Sequence, residues 1–119
     1  MNNAINFVIG AAGTVAYNEC PRGWRIAAFE VPADIDSSDL TLALASDADT
    51  VADASKNWLP VYSANANVSA VNGAAFTAKS YRAVAEPLSR ATEGQRVRLT
   101  VAAQTLAITI RGHLVRSDA

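Results

Sequence analysis

The chain has 119 residues and a mass of 12.5 kDa; half of it is apolar and 18% charged, which suits one globular domain and excludes a disordered polyelectrolyte. A formal charge of -1 and a pI near 5.7 argue against nucleic acid as a partner, because such surfaces concentrate Lys and Arg to displace counterions. One Cys and one His are too few for a zinc centre or an intrachain disulfide, and no apolar run reaches the roughly 18 to 20 residues that span a bilayer, so no metal, cofactor or membrane is expected.

The opening residues lack a basic stretch and their apolar run is broken by Asn6, so no signal peptide is expected. Residues 1–20 mix Ile5, Phe7, Val8, Ile9 and Val15 with Asn and Gly, and the alternation that begins at Trp24 is complete without them. They are expected to form an N-terminal arm or edge strand, with Ile5, Phe7 and Ile9 as candidate contacts to a neighbouring subunit, and residues 21–119 the domain proper. Arg25 to Val31 reads as a strand that stops at Pro32. Leu40, Leu42 and Leu44 alternate with Thr41, Ala43 and Ala45 before a loop rich in Asp.

Val97, Leu99 and Val101 alternate with Arg96, Arg98 and Thr100; after a short link, Leu106, Ile108 and Ile110 continue the pattern, which predicts a hairpin with all six apolar residues inward. Gly112 marks an expected bulge. Shorter candidates are Asn6 to Ile9, Thr14 to Tyr17, Leu59 to Tyr62, Val68 to Val71 and Tyr81 to Ala85, with a helical turn at Pro87 to Ala91 or Ser37 to Leu40. No window sustains helical periodicity, despite 25 alanines. The fold class is therefore all-β, an antiparallel β-sandwich of jelly-roll or Ig-like type with seven to eight strands.

Little points to catalysis. Asp47, Asp49 and Asp53 resemble a calcium loop only briefly, since Ala52 and Trp58 stand where an EF-hand needs Gly and Glu, and a solvated loop is the plainer reading. His113 has no nucleophile at a telling spacing, and Glu30, Glu86 and Glu93 carry no glycosidase signature, so no enzyme is expected. Cys20 reads as a buried thiol, with an intermolecular disulfide as the alternative. Trp24 and Trp58 suit the rim of a sandwich core or a sugar-stacking platform. Residues 1–60 carry three basic against eight acidic side chains, a balance of -5, and residues 61–119 seven against three, a balance of +4. If these charges do not mix over the surface, the subunit is dipolar and suited to head-to-tail contact, with Arg96 and Arg98 as candidate interaction residues.

The succession Phe29-Glu30-Val31-Pro32-Ala33, Leu40 to Ser46, the acidic loop, and Asn57-Trp58-Leu59-Pro60-Val61-Tyr62, followed by Tyr81 to Val84, Gln95 to Leu99 and Thr105 to Arg111, resembles small β-sandwich proteins of bacteriophage structural gene clusters. The resemblance spans about residues 24–116 and implies a virion structural protein, made in the bacterial cytoplasm and located in the particle. Its most direct form is a capsid decoration, or head cement, protein that contacts the major capsid protein or other virion proteins and self-associates. The alternative is a carbohydrate-binding module or tail-fibre component that uses Trp24 or Trp58.

Overall fold

The computed structural model describes residues 3–32, 35, 40–63, 66–67, 70–71 and 80–118. Its strands are β1 (Ala4–Ile9), β2 (Val15–Glu19), β3 (Trp24–Val31), β4 (Leu40–Ala45), β5 (Tyr62–Ser63), β6 (Ala66–Asn67), β7 (Ala70–Val71), β8 (Ser80–Ala83), β9 (Arg96–Thr100) and β10 (Ile108–Arg116). One helix, α1 (Glu86–Ala91), starts with Pro87 in its first turn, where the missing N–H costs nothing.

Two antiparallel sheets face each other. Sheet A has the order β1-β10-β3-β8 and sheet B the order β2-β9-β4-β7, while β5 and β6 form a separate ribbon. Among the described residues seven strands have four or more residues, four in sheet A and three in sheet B; two-residue β7 borders β4. Along the chain, each successive long strand lies in the opposite sheet, and this order is that of a jelly roll.

The core is the product of the alternation. Phe7, Ile9, Ile26, Phe29, Val31 and Ile110 of sheet A meet Leu40, Leu42, Val97 and Leu99 of sheet B, with Leu88 of α1 inserted among them. Full burial of such side chains contributes about 1.5–3 kcal/mol each. At the centre of sheet A, Gly112 pairs with Ile5 on one side and Phe29 on the other. A Cβ there would stand 3.4 Å from Ile5 and from the rings of Phe7 and Phe29, so the glycine leaves the space in which these rings meet edge to face, 5.9 Å apart. The register shift lies one residue beyond the expected place, between His113 and Leu114. The extra residue is Ala27 of β3, whose carbonyl accepts from Val84 N–H.

Three expectations are corrected. The hairpin of Val97–Val101 with Leu106–Ile110 does not form: β9 pairs with β2 and β4, and β10 with β1 and β3. Two amphipathic strands can face one another across a core as readily as they pair side by side, and alternation does not distinguish these. The link is an arch tied to the β1–β2 turn, where Gln104 N–H donates to Gly13 O and Ala12 N–H to Gln104 O. Leu106, in that arch, is 60% exposed rather than inward, and Leu44 is only partly buried at the strand end.

The third correction concerns the N-terminus. Residues 4–19 supply an edge strand to each sheet, and Phe7 and Ile9 are wholly buried, so the core is not complete without them. The turn between the strands requires Gly13, because a Cβ there would lie 2.8 Å from Gly10 O. Asn18 joins the two open edges: its Nδ2 donates to Asn6 O on β1, and its Oδ1 accepts from Glu19 N–H on β2.

Removal of residues 1–13 is therefore expected to unfold the domain rather than leave a folded monomer. Phe7→Ala is expected to cost about 3–5 kcal/mol, read as a lower urea midpoint with an unchanged slope. A truncated chain with native cooperativity would contradict this account.

Candidate interaction site

The outer face of sheet B is laid out in cross-strand rows: Val15, Thr100 and Thr41; Tyr17, Arg98 and Ala43; Glu19, Arg96 and Ala45. Alternation places these side chains opposite Val97 and Leu99. Ala43 and Ala45 point away from the core yet are only 5% and 4% exposed, because the loop of residues 46–58 folds back over this face.

Several bonds shape that loop. Asp47 Oδ1 accepts from Asn57 N–H at 3.0 Å, and Trp58 Nε1 donates to Asp53 O at 2.7 Å. Lys56, 8% exposed, sends its ammonium inward to Ala48 O and Val51 O at 3.1 and 2.6 Å. The loop is thus filled by its own cation. Among the described residues no group of three or more His, Cys, Asp or Glu is placed to hold a metal; Asp34, Asp36 and Asp39 lie outside them, as do Ser37 and Val68.

Asp53 anchors the loop to the sheet through two bonds with Arg96, Nε to Oδ1 at 3.0 Å and Nη2 to Oδ2 at 2.7 Å. The Arg96 hydrogen bonds hold the Asp53 carboxyl below its ordinary range, outweighing a smaller desolvation effect, and Asp53 in turn raises Arg96. Glu19 and Asp49 add their fields to Arg96. This contact joins the acidic first half of the chain to the basic second half. Here the charges mix within the subunit, and the dipolar arrangement is not realised at this face.

With the loop in place, the Trp58 ring rests 5.4 Å from the Tyr17 ring, and the Arg98 guanidinium lies 5.4 Å from the Trp58 centroid. Arg98 Nε is buried without an acceptor, and among the described residues the side chain has no hydrogen-bond or ion-pair partner. Of the residues singled out in the sequence, Asp53, Trp58, Arg96 and Arg98 come together here, Asp53 as the partner of Arg96. Tyr17 and Lys56 were missed as members of the site; a lysine inside an acidic loop was the available signal.

The other candidates lie elsewhere. Phe7 and Ile9 are buried and Ile5 packs against the same core, so the exposed apolar side chain of β1 is Val8, at 64%. Trp24, at the start of β3, carries the Arg116 guanidinium 5.1 Å from its centroid. His113 lies on the outer face of sheet A, 3.4 Å from Glu30 Oε1, with its ring tilted against that of Tyr81, centroids 5.0 Å apart. Glu86 pairs with Arg90, and Glu93 accepts from Gly23 N–H. These carboxylates do not converge.

Cys20 is fully buried; its thiol donates to Trp24 O at 3.2 Å, and burial raises its pKa. An intermolecular disulfide is closed to it in the folded state. Among the described residues no helix is long and apolar enough to cross a membrane. Comparisons with protein-family models, curated proteins and solved structures give no match to this chain.

Two outcomes follow. Because Asp53 titrates lower in the folded chain than unfolded, its contribution is complete above the ordinary Asp value near pH 4 and is lost as pH falls through the depressed one. In a Trp24→Phe background, Trp58 fluorescence should report loop release below about pH 4, and Asp53→Asn should show the released signal already at neutral pH. Cys20 should react with a thiol reagent only at the rate of unfolding; fast modification of native protein would contradict its burial.

Proposed function

We propose that this chain is a non-enzymatic virion structural protein of a bacteriophage, most directly a capsid decoration protein that holds the major capsid lattice through its outer surface. The observation that carries the reading is the patch on sheet B, where Tyr17, Trp58 and Arg98 are gathered on a sheet face. Tyr, Trp and Arg are the residues most enriched at the energetic centres of protein interfaces. Two further points support it: the sequence resemblance over about residues 24–116, and the jelly-roll strand order, an arrangement used by viral capsid and lectin domains. The second is an argument by analogy of fold.

A glycan platform has less support. It needs a free aromatic face, whereas Trp58 carries Tyr17 and Arg98, and Trp24 carries Arg116. On a repeating lattice, weak contacts of a single subunit suffice, since multivalency supplies retention without new bonds.

The test is mass spectrometry of density-purified particles induced from the source strain. The chain is expected in the particles at a fixed ratio to the major capsid protein, and deletion of its gene is expected to leave assembled heads that lack it. Its absence from the particles would overturn the reading.

A further inference from the structure

Arg96 and Arg98 stand on the same face of β9, one row apart, yet their surroundings are opposite. Arg96 has Asp53 as a bidentate partner and feels Glu19 and Asp49. Arg98 has no acid within reach among the described residues; its only contact of this kind is the Trp58 ring. A half-buried guanidinium with a buried, unmatched Nε is costly when isolated, because a desolvated donor has lost water without gaining an acceptor. The surrounding residues hold it in place: Trp58 lies against it, Tyr17 pairs with it across the strands, and Ala43 leaves room for its stem.

We infer that Arg98 is a carboxylate-binding site that receives an Asp, Glu or C-terminal carboxylate from an acidic segment of the protein to which this chain attaches. The inference rests on the reading of the chain as an attachment protein and names the chemistry of its partner. The planar fork of a guanidinium matches a carboxylate with two parallel bonds, and the Trp58 ring, 5.4 Å from the guanidinium, restrains the group before the partner arrives. Tyr17, half-buried beside Arg98, offers its remaining surface to the rest of the incoming segment. A single carboxylate is favoured over a more highly charged anion by the neighbouring row and loop, where Glu19, Asp49 and Asp53 outnumber Arg96 and Lys56.

The probe is an acetylated, amidated hexapeptide with one glutamate among glycines and serines, titrated into the isotope-labelled full chain and followed by NMR at Arg Nε–H and Trp indole resonances. Inorganic phosphate and the same peptide with glutamine in place of its glutamate serve as controls. Saturable shifts at Arg98 and Trp58 with the glutamate peptide only are expected. Arg98→Ala should weaken binding at least about tenfold, and Arg98→Lys, which keeps the charge but loses the fork, should also weaken it. Arg98→Lys keeps the test informative if the alanine variant disturbs the loop, which Trp58 fluorescence reports.

Equal response to glutamine, tighter binding of phosphate, or full affinity in Arg98→Lys would each overturn the inference. In the particle, wild-type retention of a folded Arg98→Ala chain would also overturn it, while the chain's presence there would leave the attachment reading standing.

Discussion

Strand β9 holds the two halves of this structure in register, because its alternation commits opposite faces to opposite tasks. Val97 and Leu99 are wholly buried in the core, while Arg96 and Arg98 emerge on the outer face of sheet B. A slip of one residue would exchange these sets, placing two guanidinium groups among Phe7, Phe29 and Ile110. The cost of burying such charges fixes the register, and the register fixes where the loop of residues 46–58 finds its anchor. Core and interaction site are thus two consequences of one strand.

The loop shows how side-chain bonds of its own hold a segment rich in acid. Lys56 satisfies two of its carbonyls, Asp47 caps a main-chain N–H, and Asp53 reaches across to Arg96. Each bond is modest by itself, about 1 kcal/mol for a neutral pair and more for a charged one. Together they lay Trp58 on Tyr17 and Arg98, and they cover Ala43 and Ala45. Larger residues at those two positions of β4 would leave no room for the loop, so the small side chains that make the composition so rich in Ala have a specific use here.

How much of this was legible in the sequence follows from what alternation encodes. Leu40, Leu42, Val97, Leu99, Val101, Ile108 and Ile110 were read as inward and are buried, since a period of two specifies a face. Strand partners were not legible, because a period of two is silent on sheet membership: β9 and β10 look like a hairpin and form an arch. Phe7 and Ile9 read as lying outside the domain because the alternation from Trp24 is complete by itself, yet they fill the core, and Asn6 beside them meets Asn18 through its carbonyl. At the site, residue type drew notice to Trp58, Arg96 and Arg98, while Tyr17 meets Trp58, and Asp53 meets Arg96, through tertiary contacts that no local pattern records.

The site exists only if the loop of residues 46–58 lies folded on sheet B. The most direct measurement is solution NMR of the Trp58 indole. It should show a protected Nε1–H, bonded to Asp53 O, and cross-relaxation between the indole and the Tyr17 ring. An indole proton that exchanges as fast as that of a free peptide, with no contact to Tyr17, would mean that the outer face of sheet B is bare and that the site does not exist.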